Sequence, residues 1–163
     1  MPKRSGGRIG DHRNFHHYRA VRPRVREASM SRNLLAYVAT LIVFGIVDFI
    51  WLGFVAKDLY RSGIGHLMAE SPDWVAAVLF YLVFIGGLVW FAVAPALSVG
   101  DWRNAASNGA LFGFFCYATY DLTNLATLKG WPVSIVAADL SWGAFASAVG
   151  ATAGFFITRA VLR

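Results

Sequence analysis

The stretch LLAYVATLIVFGIVDFIWLGFVA, residues 34–56, decides the fold class. It is an unbroken apolar run in which Asp48 is the one charged side chain. Crossing ~30 Å of hydrocarbon takes about 20 apolar residues in a helix, so the run reads as a membrane span. Working outward, residues 74–97 form a second run with no charge, 105–128 a more polar third containing Asp121, and 133–161 a fourth containing Asp139. Pro132 stands just before the fourth, where a helix start tolerates it. The 163-residue chain is 57% hydrophobic and 15% charged, whereas soluble domains are about 45–50% apolar and about 25% charged. A soluble enzyme, a disordered chain and a disulfide scaffold are therefore poor readings, and Cys116, the only cysteine, leaves no intrachain bridge.

Charge is divided along the chain. Residues 1–32 hold nine Lys/Arg against Asp11 and Glu27, while the remainder holds six Lys/Arg against seven acids. This basic leader reads as a disordered segment that signals topology or lies on anionic lipid. Met30 opens a compact basic start of its own and is an alternative beginning. A nucleic-acid arm is not expected. His12, His16 and His17 come without the cysteine or carboxylate pattern that metals need, so no metal site is expected.

Short connections force successive helices to lie as antiparallel neighbours. The expected fold is all-α: an integral membrane four-helix bundle over 33–163, one domain, embedded in the lipid bilayer. With the N-terminus inside, twelve Lys/Arg fall on the inner side against Lys57, Arg61 and Lys129 outside. The positive-inside rule then gives an N-in/C-in, multi-pass protein. Most tryptophans fit an interfacial belt.

Three buried acids carry the chemistry. A charged side chain near the bilayer centre costs about 2.5–3.5 kcal/mol on insertion scales, so such residues face the bundle interior. On a helical wheel Asp121 shares an arc with Tyr117, Tyr120, Asn124 and Thr127, while Ala118, Leu122 and Leu125 point away. Asp139 shares a face with Trp142, Gly143, Ala146 and Gly150, and Asp48 with Thr40, Phe44, Trp51 and Leu52. Counted from the outer span ends at ~1.5 Å per residue, the acids lie about 12, 10 and 9 Å deep for Asp48, Asp121 and Asp139. Three carboxylates in one layer cannot all be ionised without a cation, so at least one keeps its proton. Tyr117, Tyr120, Thr123 and Asn124 are donors placed to help. The competing explanation is that each acid is interhelical glue, worth ~0.6 kcal/mol in a measured case. Three in one layer favour a site. His66, Asp58, Tyr60, Glu70 and Asp73 read as a hydrated loop able to cap it.

A faint repeat aligns VDFIWLG (47–53) with YDLTNLA (120–126), placing Asp48 on Asp121. Together with YATYDLTNLATLKGWP (117–132) and ADLSWG (138–143), the first of these stretches resembles the bacterial "domain of unknown function 2177" family of predicted membrane proteins, from Met30 to about Arg159. The resemblance implies an integral membrane protein and assigns no activity or cofactor. Carried over by position, its motif residues are Asp48, Trp51, Gly53, Tyr117, Tyr120, Asp121, Thr123, Asn124, Lys129, Trp131, Pro132, Asp139, Trp142 and Gly143.

The expectation is thus a bacterial inner-membrane protein with an intramembrane carboxylate site for a proton, a cation, or a small polar or lipid ligand, with transport as one form of that activity. Asp48, Asp121 and Asp139 bind or protonate, Tyr117, Tyr120, Thr123 and Asn124 orient them, Trp51 and Trp142 flank them, and Lys129 at the lip attracts an anionic headgroup. No residue is assigned a catalytic role. An enzyme of lipid modification and an assembly or stress-response partner are the alternatives. Ala146, Gly150 and Gly154 offer a small-residue face for a homodimer.

Overall fold

The computed structural model describes residues 14–163, with side chains described from Ser29 onward. Helix α1 (Asn14–Ile50) passes into a π-helical turn, Trp51–Val55. Then come α2 (Lys57–Ile64), a 3-10 turn (Gly65–Leu67), α3 (Trp74–Leu88), a second π-helical turn (Val89–Val93), α4 (Ala94–Val99), α5 (Trp102–Thr127) and α6 (Val133–Val161). No strand occurs among the described residues. Part of the leader read as disordered is therefore helical backbone from Asn14 on. The leader's first stretch, with His12, lies outside the described residues, as do the side chains of His16 and His17.

Local chemistry sets the breaks. Asp73 caps α3 by accepting from the Val75 and Ala76 N–H groups at 2.9 and 3.1 Å, and Asp101 caps α5 through the Arg103 N–H at 2.9 Å. Gly100 ends α4 in the left-handed conformation at φ 82°, where glycine has no steric penalty. Pro95, at the start of α4, has no N–H for the carbonyl one turn back, and the ladder resets there through the π turn. The first π turn closes with the Ala56 N–H on the Trp51 carbonyl at 2.8 Å. It lies one helical turn beyond Asp48.

Three segments are long and apolar enough to cross a membrane among the described residues: Ser29–Val55, Trp74–Val99 and Val133–Val161. Helix α5 is as long, at 26 residues, yet it is not among them because its polar residues dilute the run. It lies against α6 along an interface of glycines. A Cβ on Gly109 would meet the Ser147 carbonyl oxygen at 2.8 Å and the Ala151 methyl at 2.9 Å, and one on Gly113 would collide with the Gly143 carbonyl and the Ser147 hydroxyl. On its other side α6 receives α1: a Cβ on Gly154 would strike the Thr40 hydroxyl, and one on Gly150 would press on Phe44 at 3.3 Å. Helix α6 is thus the centre of the bundle, and close backbone approach is what its small residues provide. The face assigned to a homodimer is corrected by this packing. Ala146, Gly150 and Gly154 are buried within one chain, Gly150 and Gly154 against α1, and are not free for a second copy.

The α3–α4 arm completes the core with Phe84, Ile85, Leu88, Val93 and Ala96, against Phe44 and Phe155. The outer surface is apolar all round: Ile42, Ile46 and Phe49 on α1, Val78 and Val83 on α3, Leu111 and Phe115 on α5, and Phe145 and Phe156 on α6 are exposed. A continuous apolar perimeter of this kind suits lipid and not water.

Candidate functional site

Asp48 and Asp139 are buried, at 3% and 5% exposure, although both are carboxylates. Such groups need hydrogen-bond donors, since an unpaired buried charge is costly. The structure supplies them from three helices. The Tyr81 hydroxyl of α3 donates to Asp48 Oδ2 at 2.6 Å, and the Trp142 indole of α6 donates to Asp48 Oδ1 at 2.9 Å. The Tyr60 hydroxyl of α2 donates to Asp139 Oδ1 and accepts from the Trp51 indole at 3.2 Å. The rings of Trp51 and Trp142 stack at 4.3 Å with planes 6° apart. A closed circuit results: α1 holds α6 through Asp48 and Trp142, α6 holds α2 through Asp139 and Tyr60, and α2 returns through Trp51 to the π turn that continues α1.

The two carboxylates open onto a cavity of about 760 Å³ at the loop end of the bundle. Its walls include Trp51, Tyr60, Tyr81, Tyr117, Tyr120 and Trp142, with Lys57 and Arg61 from α2 and apolar residues of the first π-helical turn and α3. A smaller cavity of about 260 Å³ shares Phe80, Tyr117, Tyr120 and Asp139 with it and reaches Cys116. Tyr60 lies on α2, beyond the end of the first apolar segment. Burial first, and then the bond to Asp139, push its hydroxyl well above the usual tyrosine range, while the bond from Trp51 opposes them. Tyr60 therefore stays a donor at any physiological pH.

Several residues picked from sequence meet here, and others do not. Asp48, Trp51, Tyr117, Tyr120, Asp139 and Trp142 all line the large cavity. Asp121 does not. It is fully buried on the same face of α5 as Ala118, the residue expected to point away from it. Asp121 is within electrostatic reach of Asp139 and stands beside Trp131, but both its oxygens and the Trp131 indole nitrogen lack a hydrogen-bond partner among the described residues. Thr123 faces outward, lining a shallow groove with Phe115 and Leu122. Asn124 lies beside Tyr120, and Lys129 is exposed in the turn before α6. The cations on the cavity wall are Lys57 and Arg61. Trp51 and Trp142 are cavity residues, whereas Trp74, Trp90 and Trp102 are exposed as a belt requires. Tyr81 was missed, because one tyrosine in an uncharged span carries no signal of its own. Tyr60, which the sequence offers only as part of a hydrated loop, lies on α2, where it donates to Asp139.

Among the described residues no three His, Cys, Asp or Glu side chains gather to hold a metal ion. A family profile described as "Predicted membrane protein (DUF2177)" matches residues 33–156, which include every residue of the circuit. No curated protein and no solved structure matches the chain.

Proposed function

The chain belongs to the family of predicted membrane proteins described as domain of unknown function 2177, and on that premise we propose that it binds the ammonium or hydrogen-bond-donating group of a small ligand on the Asp48–Asp139 pair. The observation that carries this reading is that two buried carboxylates from different helices share one cavity open at the loop end. Interhelical glue has no need of a cavity. Aromatic walls add to the case, since π faces attract cations by about 0.5–2 kcal/mol each. Nothing in this chemistry requires a covalent step, and binding or passage of the ligand is the function proposed.

The setting proposed is a bacterial inner membrane crossed four times. Helix α5 supports a fourth crossing by turning Asp121, Gly109 and Gly113 inward and Leu111, Phe115 and Leu122 outward. At ~1.5 Å per residue it is about 39 Å long, enough to span. The excess of Lys/Arg ahead of residue 34, where the first apolar run begins, and at the end of α6 supports placing both termini in the cytoplasm, with the cavity mouth on the opposite face.

Butylammonium chloride, titrated against the purified full chain at constant ionic strength, tests the reading through the emission of the stacked Trp51 and Trp142. A saturable change that is absent in Asp139→Asn is expected. No change in the natural protein, or an equal change in Asp139→Asn, overturns the proposal.

A further inference from the structure

Two properties of the cavity go unused by a simple amine. The first is its pattern of charge. Lys57 and Arg61, one turn apart on α2, both line it, and neither has an ion-pair partner among the described residues. They lie beyond the end of the first apolar segment, Ser29–Val55, whereas Asp48 lies inside it. Cations thus stand at the mouth and carboxylates deeper in. The complement of that arrangement is a zwitterion whose anionic group sits nearer the membrane surface than its ammonium.

The second property is the rim. Leu52 and Phe80 line the cavity and are 47% and 46% exposed, so they belong at once to the cavity and to the apolar outer surface of the bundle. They come from the α1 end and from α3, two helices that touch far less than α5 and α6 do. The cavity therefore opens sideways, towards the position of acyl chains, as well as towards the loop. Its volume of about 760 Å³ falls in the range of about 300–1,000 Å³ that holds a drug-sized molecule. That is far more than one ion needs.

Building on the amine-binding reading, we infer that the occupant is a bilayer lipid with a phosphoethanolamine headgroup, its phosphate held by Lys57 and Arg61 and its ammonium by Asp139 and Asp48. A primary ammonium suits these acids better than a quaternary one. Asp139 Oδ2 accepts no hydrogen bond among the described residues, and a primary ammonium brings N–H donors to it. The phosphate suits two cations at (i, i+4) spacing, because charge-assisted bonds to phosphate are among the strongest polar contacts. The apolar rim commits the source to lipid and not to a free headgroup.

The test titrates the full-length protein in detergent, read by tryptophan emission, with four probes: dihexanoyl phosphatidylethanolamine, dihexanoyl phosphatidylcholine, dihexanoyl phosphatidylglycerol and glycerophosphoethanolamine. The ethanolamine lipid should bind at least about tenfold more tightly than the other three, a difference of about 1.4 kcal/mol. The double variant Lys57→Gln/Arg61→Gln should weaken it about tenfold, and Lys57→Arg/Arg61→Lys should restore it. Both side chains are exposed, so neither double variant threatens the fold, and an unchanged gel-filtration profile checks this. Equal binding of phosphatidylglycerol, equal binding of glycerophosphoethanolamine, or indifference to Lys57→Gln/Arg61→Gln overturns the lipid inference. If butylammonium still binds in that case, amine binding survives without the lipid. If butylammonium also fails, both readings fall.

Discussion

Each oxygen of Asp48 is matched to a donor that comes from another helix, Tyr81 on one side and Trp142 on the other. Asp139 depends on Tyr60 in the same way. Removing one donor leaves a buried acceptor without its partner, which costs about 1–3 kcal/mol, more than the bond itself contributes. Tyr60→Phe should therefore lower unfolding stability by about that amount, read from melting of the purified protein in one detergent, and a melt equal to that of the natural protein contradicts the assigned role. Asp48, Asp139, Trp51 and Trp142 were legible in the sequence because charge in an apolar run is conspicuous and wheel positions follow from spacing. Asp121 was legible as buried but not in its surroundings. The wheel set it with Tyr120, whereas in the bundle Asp121 turns in with Ala118 and Tyr120 is 57% exposed. A wheel gives relative angles within one helix and cannot say which arc meets a neighbour.

Among the elements, α5 and α6 are joined by a contact that only glycine permits. Gly113 lies so close to the Gly143 carbonyl and the Ser147 hydroxyl that a methyl group there must move one backbone or the other. Gly113→Ala should destabilise by about 1–3 kcal/mol, the usual cost of overpacking. Gly45→Ala, inside α1 at a site with nothing within 4 Å, should leave stability unchanged or raise it by up to about 1 kcal/mol. Equal effects at the two positions would contradict the packing described. The long helices α1, α3, α5 and α6 and their order were readable from hydropathy, whereas α2 lies in what the sequence offered only as a loop. The pairing of small residues was not readable. Gly150 and Gly154 look alike whether they meet another chain or, as here, α1 of the same chain. The π turn at Trp51–Val55 had no sequence signal beyond Gly53, yet it stands between Asp48 and α2, the helix that brings Tyr60, Lys57 and Arg61 to the cavity.

For the whole molecule, the apolar perimeter suits a membrane, and the cavity at one end carries two buried carboxylates in a largely apolar wall, as the proposed binding of a polar group requires. The composition announced the membrane at once. The cavity was not readable, because its mouth is made by a short amphipathic helix whose cations count, in sequence, only as outside charge. The central claim is that Asp48 and Asp139 face a space that solutes reach, while Asp121 is sealed in the helix interface. The direct measurement is the rate of modification by the cationic thiol reagent methanethiosulfonate ethyltrimethylammonium in lipid nanodiscs, where both membrane faces are open. It compares Asp48→Cys, Asp139→Cys and Asp121→Cys, each made in a Cys116→Ala background. Rapid modification of Asp48→Cys and Asp139→Cys, with Asp121→Cys slower by about a hundredfold or more, a difference of about 2.7 kcal/mol, is the result predicted. Protection of all three positions, or equal reactivity at Asp121→Cys, would contradict the account.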